Sequence, residues 1–150
     1  MEGKKIVKII LITVILLILV DQASKILINI FVSDDIVLLQ NVFAISKVQN
    51  DNSGVSKQNI TNITIMALFL VVVIRFIIVQ KHNLRKITIL FLGMIIAGMI
   101  SNILDIIFKG GTFAFIQLSD FPAFNLADCF IVIGWILFII DLLKKIRNDT

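Results

Sequence analysis

The sequence holds one cysteine, one histidine and one proline in 150 residues, and only 16% of its residues are charged. Each scarcity removes a class of function. A single thiol, Cys129, rules out an intrachain disulfide and is expected to be a small buried packing residue. The one histidine, His82, lies in a basic stretch between two apolar runs, so a His-based catalytic triad at the opposite face is excluded. The His and Cys clusters that hold zinc are also missing. No Gly-rich loop cradles a phosphate; Gly110-Gly111 reads instead as a helix stop. Ser101 and Ser119 have no evident base in the sequence around them. With no Pro- or Ser-rich linker and no internal repeat, residues 1–150 are expected to form one domain.

Apolar residues, by contrast, are abundant. The chain is 59% hydrophobic, with a mean hydropathy of +1.05. Soluble domains run at roughly 45–50% apolar and about 25% charged residues. A small soluble core would leave a large apolar exterior that aggregates, whereas lipid can cover such a surface. Crossing the hydrocarbon takes about 20 apolar residues. Four runs are long enough: about 6–31, 60–79, 87–108 and 124–143. The expected fold class is therefore an all-α membrane protein with four transmembrane helices. The first run follows basic residues as a signal peptide would. It ends in Asp21-Gln22 with no small-x-small cleavage site, so it reads as a retained span. The lone Cys lies far downstream, so no lipobox of the chain's own is expected.

Charge sets the direction. Lys4, Lys5, Lys8, Lys81, Arg85, Lys86, Lys144, Lys145 and Arg147 fall on one side, nine of the fourteen basic residues. The opposite loops carry Lys47, Lys57 and Lys109 against Asp34, Asp35, Asp51 and Asp120. The positive-inside rule then places both termini in the cytoplasm. The net charge of +4 sits at membrane boundaries and forms no nucleic-acid patch. Arg75 falls toward the cytoplasmic end of the second span and is expected to snorkel.

A charge inside a span costs about 2.5–3.5 kcal/mol on insertion scales, which makes it a functional candidate by default. Here the polar residues come in helical pairs: Asp21 with Lys25, Asn102 with Asp105, and Asn125 with Asp128. Spacings of three and four put each pair on one helix face. Asp21 lies roughly 22 Å along the first span and Asp105 roughly 27 Å along the third, at 1.5 Å per residue. The fourth span runs the other way, and Asp128 falls near its start. All three approach the outer boundary. A purely architectural role remains open, with Asn102 and Asn125 bonding helices together and Asp21 and Lys25 forming an ion pair within one helix. Asp128 has no cation near it in sequence and is the best candidate for chemistry. Polar groups gathered at one edge, not the midplane, do not outline a transport path.

These residues resemble those of the lipoprotein signal peptidases, or signal peptidase II, over nearly the whole chain. Asp21-Gln22-Ala23-Ser24-Lys25 is similar to the family's D-Q-x-x-K, and Asn52-Ser53-Gly54 to the start of N-x-G-A-A-F. Ser101-Asn102-Ile103-Leu104-Asp105 resembles G-N-x-x-D-R. The most specific match is Phe121-Pro122-Ala123-Phe124-Asn125-Leu126-Ala127-Asp128 to F-P-x-F-N-x-A-D. The resemblance implies an aspartic endopeptidase of the bacterial cytoplasmic membrane. Such an enzyme cuts the signal peptide from a prolipoprotein just before a diacylglyceryl-modified cysteine. One ionised Asp activates water while a protonated one polarises the carbonyl, since close carboxylates share a proton. No metal or organic cofactor is implied. The implied partners are the lipid-modified signal peptide and membrane lipids, with no nucleic acid, and a monomer is expected. The resemblance also implies that residues 33–59 form strands packed as a small extracytoplasmic cradle.

Carried over by motif, Asp128 is one catalytic acid. The other comes from G-x-x-x-D-F, and that position is Ala114 in Gly110-Gly111-Thr112-Phe113-Ala114-Phe115. A methyl group can neither bind the water nor share the proton. Asp21, Lys25, Asn52, Gly54, Asn102, Asp105, Asn125 and Ala127 are the implied substrate-binding or supporting residues. Further departures are Ile106 in place of the motif's Arg, Val55-Ser56-Lys57 in place of A-A-F, and a longer spacing from Phe43 to Asn52. Three readings stay open: a peptidase with an engineered or tolerated loss at Ala114, an inactive relative that binds lipidated substrate, inhibitor or a partner, and rescue by Asp105 or Asp120. Phe113, Phe115 and Phe121 are expected near the interface, as a substrate clamp or as anchors.

Overall fold

The structure, a computed structural model, describes residues 2–33, 35–39, 42–49, 56–80, 83–118 and 121–149. Among them are four long helices, α1 (Glu2–Phe31), α2 (Lys57–Gln80), α3 (Lys86–Lys109) and α4 (Leu126–Asp149). Each is long and apolar enough to cross a membrane. A helix satisfies its backbone within one segment, as a bilayer demands. Between the helices lie three short strands, β1 (Ile36–Leu39), β2 (Phe43–Gln49) and β3 (Phe113–Leu118).

α3 is the central helix. Most of its apolar run is buried, while α1, α2 and α4 turn theirs outward. Leu92, Ile95, Ala97 and Met99 of α3 form the core with Val14 of α1, Val73 and Ile77 of α2 and Phe138 of α4. Gly98 sets the closest approach between α3 and α4. A Cβ at this position would stand 2.3 Å from the carbonyl oxygen of Ala127, so only a hydrogen fits. Small residues at helix contacts let backbones approach in this way. The outward faces, among them Leu11, Ile15, Leu19, Leu68, Val72, Ile136 and Leu143, are exposed apolar surface of the kind lipid covers.

Gly110 stops α3, as the sequence suggests. Its φ of 76° is left-handed, and its N–H donates to the carbonyl of Ile106 at 3.1 Å. The turn delivers the chain into β3. The sheet is antiparallel in the order β1-β2-β3, with Ile36 opposite Ile45 and Ile45 opposite Ile116. The expected cradle therefore exists, but its third strand comes from residues beyond 33–59. The run Phe113-Ala114-Phe115-Ile116 has the β-branched and aromatic content that favours strands, yet its brevity hides it between two spans.

Two expectations change in detail. α4 starts at Leu126, not 124, because Phe124 and Ile116 exchange backbone hydrogen bonds at 2.9 Å and hold residue 124 in extended form. Phe113 and Phe115 are buried within the protein instead of facing an interface, while Phe121 is 72% exposed. Arg75 is exposed on α2, consistent with a snorkelling side chain.

Candidate active site

Where α1, α3 and α4 converge beside β3, the polar residues form two connected groups. The first is an ion network. Lys25 Nζ donates to Asp21 Oδ2 and to Asp105 Oδ2, both at 2.5 Å. The expected pair within α1 is thus one half of a bridge from α1 to α3. Asp21 Oδ2 also accepts from Ser101 Oγ at 2.6 Å, and Asp21 Oδ1 accepts the backbone N–H of Ala127 at 2.9 Å. Asp105 Oδ1 accepts from Lys109 Nζ at 2.7 Å and from Gln22 Nε2 at 3.0 Å. Asp21 and Asp105 have no exposed surface, and Lys25 is 2% exposed. Buried charges persist only when paired and hydrogen-bonded. Two carboxylates and two ammonium groups balance here, with a donor on every carboxylate oxygen.

The second group surrounds Asp128. Asn125 precedes α4 and acts as its cap: its Oδ1 accepts the N–H of Asp128 at 3.0 Å, and its own N–H donates to Asp128 Oδ2 at 3.1 Å. This is the reciprocal pattern of a capping box. The other oxygen of Asp128 accepts from Asn102 Nδ2 at 2.7 Å. Asn125 Nδ2 spends its two hydrogens on Asn102 Oδ1 at 3.1 Å and on the carbonyl of Phe113 at 3.2 Å. That last bond ties the start of β3 to the start of α4. Ala114, the next residue of β3, is buried. Asp128 itself is only half-buried, in contrast to Asp21 and Asp105.

The structure thus brings Asp21, Lys25, Asn102, Asp105, Asn125, Ala127, Asp128 and the strand carrying Ala114 into one region. Asn52, Gly54, Asp120 and His82 lie outside the described residues. Sequence reasoning left four contributors unassigned. Ser101 is fully buried and does face a carboxylate, but Lys25 holds the same oxygen of Asp21, so Ser101 is a network donor. Gln22 links Ser101, Asp105 and Lys109. Lys109 stands four residues after Asp105, the same spacing that flagged Asp21 and Lys25, and could have been found by it. Asn59 of α2 donates to the carbonyl of Gly110 at 2.7 Å, a contact across 51 residues with no local signal. At the far end of the bundle, Asp141 of α4 accepts from Thr88 at 2.5 Å and pairs with Arg85.

A family model described as signal peptidase (SPase) II matches residues 13–144. The lipoprotein signal peptidase of Halothermothrix orenii is 31% identical over 138 residues, spanning 89% of this chain and 94% of that protein. That of Clostridium tetani is 30% identical over 147 residues, spanning 90% and 92%. Among solved structures, a bacterial membrane enzyme determined by the in meso method at 2.3 Å superposes with a TM-score of 0.77 at 25% identity, over 94% of this chain and 91% of that one.

Proposed function

The chain belongs to the signal peptidase II family, and from that premise we propose that it binds a diacylglyceryl-modified prolipoprotein signal peptide in a bacterial cytoplasmic membrane without hydrolysing it. The distribution of basic residues supports both termini lying in the cytoplasm. The sheet and the Asp128 region would then lie at the extracytoplasmic side, where the lipid-modified cysteine of a substrate would lodge.

One observation carries this reading. By the motif resemblance Ala114 falls at the dyad position that precedes Asp128 in the chain, and the neighbouring buried carboxylates are already committed. Asp21 is held by Lys25, Ser101 and the N–H of Ala127. Asp105 is held by Lys25, Lys109 and Gln22. Freeing either would leave the buried Lys25 with one carboxylate in place of two, and breaking up a buried ion network is costly. Asp128 alone can polarise or activate but cannot do both at once. Removing one member of a cooperating catalytic unit forfeits most of its rate. Asp128 is half-exposed and is left to contact a bound peptide, held in place by Asn102 and Asn125.

The test is a cleavage assay in detergent or lipid with a diacylglyceryl-modified prolipoprotein peptide. The chain as written should bind the peptide and leave it intact, and Ala114→Asp should cut it. Cleavage by the unaltered chain would overturn the reading. Asp120→Ala would then show whether the loop carboxylate had replaced the missing one. Failure of both proteins to cut would mean that Ile106 or Lys57 also matters.

A further inference from the structure

A cavity lies beside the start of β3. It has a volume of about 330 Å³ and is lined by Lys25, Ile26, Asn29, Lys109, Gly111 and Phe113. Side chains alternate along a strand. Phe113 and Phe115 share one side of β3, their ring centroids 6.3 Å apart, so Ala114 faces the other. The cavity is therefore separate from the face that would present a dyad.

A donor count shows what this cavity can hold. An ammonium group has three hydrogens and no acceptor. Lys109 spends two of its hydrogens, on Asp105 Oδ1 and Gln22 Oε1, and its side chain is 39% exposed, which leaves one donor for a ligand. Lys47 of β2 reaches across to the cavity wall, donating to the backbone carbonyl of Asn29 at 2.7 Å, which leaves two more. Asp21 and Asp105 are balanced by Lys25 and Lys109. Among the described residues no carboxylate pairs with Lys47, so none of them neutralises its charge. The ends of α1 and α3, which supply Ile26 and Lys109 to its lining, also expose Ile26, Ile30, Phe31, Ile107 and Phe108. Charged donors above an apolar flank match an amphiphile whose head is an anion.

We propose that this cavity binds the anionic head group of a membrane phospholipid, with Lys47 and Lys109 donating to its phosphate and the acyl chains lying against Ile26, Ile30 and Phe108. A basic pocket between spanning helices is the usual device for such recognition. A dissolved phosphate would meet the same ammonium groups, but the adjoining apolar flank favours the lipid. The site does not depend on whether the chain cleaves anything.

The full-length chain in phosphatidylcholine nanodiscs would be irradiated with a tenth of the lipid replaced by phosphatidylglycerol carrying a diazirine in its acyl chain. Labelled residues would be mapped by peptide mass spectrometry. Labelling should concentrate in residues 26–31 and 107–113. It should fall about fivefold in Lys47→Gln, the share of one lysine at a charged lipid surface, and return in Lys47→Arg. Lys4→Gln, at the other end of the bundle, should leave it unchanged. Equal labelling by a diazirine phosphatidylcholine, or labelling indifferent to Lys47→Gln, would overturn the proposal. Suppression by inorganic phosphate at matched ionic strength would overturn it too, assigning the ammonium groups to a soluble anion.

Discussion

Asn125 and Asp128 bond each other reciprocally, backbone N–H to side-chain oxygen in both directions, at 3.0 and 3.1 Å. The residue best placed for chemistry is therefore also the third residue of a helix cap. One half-buried carboxylate holds the first turn of α4 and accepts from Asn102 of α3. On the proposed function, mutations at Asp128 would report on stability and on peptide binding together.

Asp128→Ala should lower stability by about 1–3 kcal/mol. It removes the acceptor for the Asn125 N–H and for Asn102 Nδ2, and a buried donor left unmade costs that much. Asp128→Asn should cost less, because its amide oxygen still serves one of the two donors. Thermal unfolding in detergent, followed by circular dichroism, would check the order. Equal loss in both variants would mean that the cap bonds contribute little.

Much of this arrangement can be read from the residues in order. Four apolar runs announce the spans, since lipid selects for them directly. Asp21 with Lys25, Asn102 with Asp105 and Asn125 with Asp128 stand out because helical spacing is local. What stays hidden is long-range. No pattern in the sequence pairs Ser101 with Asp21, 80 residues away, or Asn59 with Gly110, 51 residues away. β3 hides for a different reason. Its six residues have the same apolar content as the spans around them, and only pairing with β2 makes them a strand. Lys109 could have been found, and was obscured by its place in a loop that looked merely connective.

Lys25→Met should destabilise the protein far more than Lys109→Met. Lys25 alone bridges Asp21 and Asp105, and its loss leaves two buried carboxylates facing each other, a penalty of about 3–5 kcal/mol. Lys109 is partly exposed, and water can replace some of its contacts, so about 1 kcal/mol or less is expected. Comparing the two midpoints of thermal unfolding tests the ranking. Similar losses would show that the network draws no special stability from the Lys25 bridge.

Gly98→Ala should loosen the α3–α4 contact, because its methyl would meet the Ala127 carbonyl at 2.3 Å. Separation there also pulls the Ala127 N–H from Asp21, so the effect should reach the ion network. Overpacking of this kind costs about 1–3 kcal/mol. Gly98→Ala should also weaken peptide binding, whereas Asp141→Asn, at the other end of α4, should cost stability and leave binding intact. Binding unaffected by Gly98→Ala would separate the helix crossing from the site.

The placement of residue 114 against Asp128 can be tested without any cleavage. If the two positions form a dyad, an Asp introduced at 114 meets an existing carboxylate in a confined space, and both cannot ionise freely. Ala114→Asp should then destabilise the chain at neutral pH by more than a buried acid alone would. The excess should vanish when Asp128 is replaced by Asn. A double-mutant cycle over Ala114→Asp and Asp128→Asn isolates that term, and a coupling of about 1–2 kcal/mol is expected, a share of the 0.5–3 typical of residues in contact. Coupling should shrink as pH falls and a shared proton becomes easier to bind. A cycle that closes at zero would mean that 114 and 128 do not face each other, and the missing carboxylate would have to be sought elsewhere in the chain.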